Sequence, residues 1–151
     1  MPTAILTDTT AKDEAAIRLI VEAIGKAHHD KDAAAIAAPY AADAVLYDLA
    51  PPLRHLGHDL QDVQAWLDTW DGPIEHEARD FSFTIVGDLA LGQGYFRMAG
   101  LKKGPEGRIS FWMRATVALR RHGDSWRIIH EHTSVPFYMD GSLRPAFDLE
   151  P

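Results

Sequence analysis

The stretch "FWMRATVALRRHGDSWRIIHEHTSVPF", Phe111 to Phe137, decides the fold. Its first half places Phe111, Met113, Ala115, Val117 and Leu119 at every second position, alternating with Trp112, Arg114, Thr116 and Arg120. That is the period of a strand with one buried face. "HGDS" (His122 to Ser125) supplies the glycine and aspartate of a hairpin turn. The chain then returns through the β-branched Ile128, Ile129 and Val135 until Pro136 ends the strand. The returning strand carries His130, Glu131, His132, Thr133 and Ser134 in its middle. Pairing Trp126 with Leu119 puts His130 opposite Ala115 and His132 opposite Met113, so both histidines face inward with the apolar set. A slip of one residue exchanges the inward and outward sets.

Working outward, Phe81, Phe83 and Ile85 alternate with Ser82 and Thr84 as another strand, and Gly87-Asp88 turns it. Leu89 to Ala99 follows, with Gly92 and Gly94 marking a bend or bulge, and Gly100 to Gly107 is a flexible hairpin loop. The first half of the chain reads differently. Residues 1–9 form a loose arm, Thr10 to Asp13 resembles a capping box, and Ile17, Ile20, Val21 and Ile24 recur at helical spacing to about His28. Asp32 caps a second, alanine-rich helix, "ADAVLYD" (Ala42 to Asp48) is a short strand, and Leu49 to Gly57 is a loop. Leu60, Val63 and Leu67 form the stripe of a third helix, with Trp66 and Trp70 beside it. The order α-α-β-α-β-β-β-β predicts one α+β domain over residues 1–151, its helices packed into an antiparallel meander. The tail 136–151 is too apolar to hang free and is expected to pack back on the domain or on a partner subunit.

Composition narrows the partners. A formal charge of −7 over 151 residues, with no long Lys/Arg run, argues against nucleic acid. The absence of cysteine excludes disulfides and thiolate chemistry. No apolar run has the length of a membrane span, so a cytoplasmic protein is expected.

Three pieces of sequence, "YAADAVLYD" (Tyr40 to Asp48), "FWMRATVALRRHGDSW" and "HEHTSVPF" (His130 to Phe137), resemble the SnoaL-like branch of the NTF2-like, or ketosteroid isomerase-like, superfamily. The last is also similar to the ending of the calcium/calmodulin-dependent kinase II association domain. The resemblance implies a cone: N-terminal helices packed into a strongly curved antiparallel sheet around a small-molecule pocket. It also implies an activity among isomerases, dehydratases and cyclases working by acid–base chemistry without a cofactor, or alternatively a non-enzymatic ligand-binding or dimerisation module. By comparison with ketosteroid isomerase, the general base falls on Asp48, while the oxyanion-hole positions become Ile24 and Ala115. A 3-oxosteroid isomerase is therefore not expected.

On this reading Asp48, His130 and His132 are the candidate catalytic residues, because imidazole titrates near neutrality and a desolvated carboxylate can take a proton. Tyr47, Trp66, Tyr95, Arg97, Met113 and Ser134 are candidate ligand contacts, with the direction of Arg97 left open. Two histidines two apart on one face could chelate a metal with Asp48 or water, but that spacing alone is weak and no metal is expected. No Gly-x-Ser-x-Gly elbow supports a serine hydrolase. Trp112, Arg114 and Thr116 form the opposite face and are expected to bury in a homodimer. His28, His29, His55, His58, His76 and His122 fall at helix ends, loops or turns and are expected to face solvent.

Overall fold

A computed structural model describes residues 3–151, with side chains from Thr10 onward. The chain begins with a long helix α1 (Thr3–His29) and a short α2 (Ala33–Ala37), followed by β1 (Tyr40–Tyr47) and the two-residue β2 (His55–Leu56). Helix α3 (Leu60–Leu67) precedes four long strands: β3 (Trp70–Val86), β4 (Leu89–Lys102), β5 (Arg108–His122) and β6 (Ser125–Ser134). The stretch expected to be a loose arm is thus helical from Thr3, and no glycine or proline interrupts the sequence between Thr3 and Ile24. Asp13 is accordingly not a cap. It sits inside α1 and takes the guanidinium of Arg121 at 2.9 and 2.7 Å.

The six strands form one open sheet in the order β2-β1-β6-β5-β4-β3. The expected meander of β3 to β6 is antiparallel throughout, but β1 lies parallel to β6, so the sheet is mixed. This follows from chain order: β1 leaves the helices and docks against the last strand instead of its sequence neighbour. The predicted 49–57 loop also contributes β2, which pairs Leu46 with His55 and Val45 with Leu56.

Helix α1 buries Ile17, Ile24 and Ala27 against the concave face of the sheet. They meet Val117, Leu119, Trp126 and Ile128 from β5 and β6 in one cluster, and Leu67, Trp70 and Ile74 in another. Each fully buried aliphatic side chain contributes about 1.5–3 kcal/mol. Gly25 lets the helix come close: a Cβ there would lie 2.7 Å from the carbonyl oxygen of His76 on β3. Gly92 and Gly94 have a related use. Asp80, at φ 55°, begins an irregularity in β3, and the two glycines of β4 leave room for the rings of Phe83 and Phe81. The tail folds back on itself through Phe137 and Pro145, and Phe147 lies against Phe111 with ring centroids 4.6 Å apart.

Candidate active site

The decisive feature lies in β6. The hairpin pairs His122 with Ser125, Arg121 with Trp126 and Leu119 with Ile128, and the next pair is Ala118 with His130. Ile129 is therefore an extra residue, a β-bulge, and beyond it the strand's two faces exchange. Trp126 and Ile128 point into the core as expected. Past the bulge, Glu131 pairs with the inward Val117 and Thr133 with the inward Ala115. His130 and His132, expected inside, pair with Ala118 and Thr116 on the convex face. The signal was present in the sequence: consecutive Ile128 and Ile129 break the alternation.

On that outer face, His130 holds its Nδ1 2.7 Å from the Val45 carbonyl. Tyr47 lies edge-on to both histidines, with centroids 5.0 and 5.4 Å away. Tyr95 and Ser134 also point outward, both paired with Arg114, and Arg114 Nε donates to Ser134 Oγ at 3.1 Å. Arg97 faces out as well. It spans Glu75 at 2.8 Å and Glu77 at 3.0 Å across the strand pair, so it is not free to meet a substrate inside. Of the expected ligand contacts, only Trp66 and Met113 lie on the inner side. Ile24 and Ala115 are inward and buried, which fills both oxyanion-donor positions of the ketosteroid isomerase pattern with apolar groups.

The interior has its own polar residues. Tyr40, at the start of β1, donates its hydroxyl to Glu131 Oε2 at 2.8 Å. Burial is the first cause pushing the Glu131 carboxyl up to about 7; the Tyr40 hydrogen bond opposes this and the charge of Asp48 adds to it. No cation is among these causes. Burial and the Glu131 charge likewise hold the Tyr40 phenol well above its ordinary range, so it stays a donor. The ring of His58 lies 4.4 Å from Tyr40, edge-on, and its buried Nε2 has no hydrogen-bond partner among the described residues. Burial lowers the His58 pKa, against a smaller pull upward from Asp48.

Deeper in, His28 donates its Nδ1–H to the Ile24 carbonyl at 2.8 Å and stacks on His76 at 4.3 Å. His76 also lies against Phe96, its Nδ1 has no partner, and burial brings its pKa down to about 3. Burial lowers His28 too, and His58 adds to the effect. These three histidines, expected at the surface, form an uncharged interior set. His28 continues the Ile17–Ile24 stripe of α1, and His76 alternates with the buried Ile74, so helical and strand periods both pointed inward.

Asp48 lies one residue beyond the end of β1. It follows the inward Ala44 and Leu46 in parity, is itself exposed, and lies 3.8 Å from His55 Nε2. Its charge reaches Glu131, Tyr40 and His58. The arrangement can therefore carry a proton at neutral pH on Glu131, hold it beside a phenol donor, and offer an uncharged imidazole as acceptor. Among the described residues, no three His, Asp or Glu side chains converge to hold a metal ion. Nor is any helix long and apolar enough to cross a membrane.

With the fold and these residues in place, comparison with known proteins gives the family. The model of the SnoaL-like domain matches residues 17–138. The chain belongs to the SnoaL-like family. A crystal structure of an NTF2-like protein of unknown function from Pseudomonas putida KT2440 is similar at 34% identity and TM-score 0.79, over 94% of this chain and 98% of that one. Two others share the fold. One is a provisionally assigned scytalone dehydratase from Novosphingobium aromaticivorans (13% identity, TM-score 0.75, 95% of this chain and 99% of that one). The other is a provisionally assigned dehydratase of the NTF2-like family from Streptomyces avermitilis (16%, 0.72, 85% and 99%). No protein of curated function matches the sequence.

Proposed function

We propose that this SnoaL-like protein is an acid–base enzyme of the dehydratase or isomerase type, acting inside the cone on a small, largely apolar, uncharged molecule. The observation that carries the reading is Glu131: an inward carboxyl, without a cation beside it, pushed to about 7 by burial and bonded to Tyr40. A structural carboxylate is ordinarily paired with Arg or Lys or left in water. One held near neutrality can give or take a proton during each turnover. In a dehydration, neutral His58 would remove a C–H proton next to a carbonyl. Protonated Glu131 would supply the proton with which the hydroxyl leaves as water, and Tyr40 would steady the carboxylate so formed. Asp48, read from the sequence as the base, takes a supporting place here: its charge favours the protonated form of Glu131. Among the described residues no positive group acts on Glu131, which disfavours an anionic substrate.

The convex face supports a second statement, about assembly. Trp112, Arg114 and Thr116 share it with Tyr47, Tyr95, His132 and Ser134, a row of aromatic and hydrogen-bonding side chains suited to a homodimer packed sheet to sheet. The outward histidines then serve the interface and not the chemistry.

The test of the catalytic reading is the titration of the Glu131 carboxyl by carbon NMR in the wild type and in Tyr40→Phe. A midpoint near 7 that moves higher without the phenol is expected, because the hydroxyl stabilises the ionised form more than the protonated one. A panel of cyclic β-hydroxy ketones should then lose water in the presence of the wild type and not of Glu131→Gln. If Glu131 titrates in the ordinary carboxylate range, it holds no proton at neutrality and the reading fails.

A further inference from the structure

A second, open groove lies at the hairpin end of β5 and β6. The ladder between β1 and β6 steps from Tyr40 and Ile128 to Val45 and His130, leaving Ala41 to Ala44 out of register beside the bulged Ile129. The groove there has a volume of about 470 Å³, and its lining includes Ala41, Asp43, Arg120, His122, Arg127 and Ile129. That is within the size range of small-molecule sites, about 300–1,000 Å³.

Arg120 and Arg127 stand directly opposite each other in the β5–β6 ladder, and both are exposed. Like charges in that relation destabilise a strand pair. The chain carries an excess of carboxylates, yet among the described residues neither arginine has an ion pair. Arg127 gives one nitrogen to the Ala38 carbonyl at 2.6 Å. The neighbouring Arg121 is the contrast: Asp13 and Asp88 occupy its guanidinium, and it lies over the Trp126 ring. Asp43 lines the groove without pairing to Arg120 or Arg127.

We propose that this groove binds a small phosphate-bearing molecule, whose dianion sits between the guanidinium groups of Arg120 and Arg127. Guanidinium matches phosphate oxygens in two-pronged fashion, and two of them across one strand pair can bracket a single phosphoryl group. The bond to Ala38 holds Arg127 in place before the ligand arrives. Ala41 and Ile129 offer an apolar wall to the remainder of the molecule. The positive strip is too short to follow a polynucleotide, and a net charge of −7 opposes an anionic lipid surface, so the phosphate belongs to a small solute. Glu131 faces the other side of the sheet, although its partner Tyr40 also lines the inner end of this groove.

The experiment is isothermal titration of the full chain with inorganic phosphate and with pyrophosphate at constant ionic strength. Saturable binding is expected, weakened about tenfold or more in Arg120→Gln and in Arg127→Gln, since each removes a charge-assisted pair of hydrogen bonds. Arg108→Gln, at the far end of β5, should bind as the wild type does. Arg120→Gln should also melt no lower than wild type without ligand, because it relieves the repulsion. Absence of saturable binding of either anion overturns the proposal, as does binding that survives loss of both arginines. Sedimentation with phosphatidylserine vesicles provides the remaining arm. Binding to vesicles without binding of free phosphate would identify a lipid surface and overturn the small-molecule site.

Discussion

Glu131→Gln should make the protein more stable above neutral pH, and the pH at which it does so is set by the burial of that carboxyl. Glutamine keeps the shape and can still accept the Tyr40 hydroxyl, so what changes is the ionisation. In the unfolded chain a glutamate titrates near 4.5; in the fold burial moves Glu131 to about 7. Between those values the folded state holds a proton that the unfolded state has released. Wild-type stability therefore falls as pH rises across that window, by about 1.4 kcal/mol per pH unit. Over the whole window the loss is at most on the order of 3 kcal/mol. The glutamine variant has no proton to lose. Any cost of placing an amide there is constant with pH, so the slope is the test and not the offset. Urea unfolding of both proteins from pH 4 to pH 9 measures it. The two curves should run parallel below the lower value, diverge through the window in favour of the variant, and run parallel again above it. Curves that stay parallel throughout would show that the Glu131 carboxyl is not desolvated, and the proton-transfer role would fall with it.

The interior histidines give the opposite limb. His76 titrates near 6.5 when unfolded and about 3 when folded, so stability present above the first value is lost as pH falls toward the second. Phenylalanine at His76 should flatten that acid loss, by at most on the order of 5 kcal/mol, in the same urea series. Gly94→Ala would place a Cβ 2.6 Å from the Phe81 ring and 2.9 Å from its Cα. A cost of about 1–3 kcal/mol in the denaturation midpoint is expected, and an unchanged midpoint would mean that the β3 irregularity is loose. If the proposed homodimer forms, the wild type should sediment as a dimer and Trp112→Glu as a monomer; a wild-type monomer would overturn the assembly, and a variant that still sediments as a dimer would place the interface on another face.

The fold was legible because its elements are long and their periods clean. The alternation from Phe111 to Leu119, the turn at Gly123-Asp124 and the Ile17–Ile24 stripe are local signals, and each is met in the structure. The parallel placement of β1 was not legible, because strand order depends on which edge is free once the meander has formed. The two histidines were read on the wrong face for a related reason. Strict alternation from Trp126 predicts His130 and His132 inside, and one bulged residue moves Glu131 and Thr133 there instead. Tyr40 and Glu131 lie far apart in sequence and meet only through the β1–β6 pairing, so no spacing rule could join them. His58 was hidden differently: it follows Gly57, whose backbone packs against Ala42, and a histidine in such a turn carries no periodic sign of pointing inward.

The bulge at Ile129 has a consequence for how this strand could change over time. The sequence His130-Glu131-His132-Thr133 holds two alternative chemistries in alternate positions, one presented to the cone and one to the outside. Loss of the single codon for Ile129 would remove the bulge yet leave Glu131 and Thr133 inward, because His130 would then follow the inward Ile128 directly; the two imidazoles turn inward only if Ile129 is kept and drawn into the ladder opposite Ala118. Such a flattening of the bulge would alter none of the residues that carry the chemistry. A lineage can therefore move between a carboxyl-based and an imidazole-based interior by losing or regaining the bulge, and two relatives with the same motif written in their sequences can present opposite halves of it to a substrate.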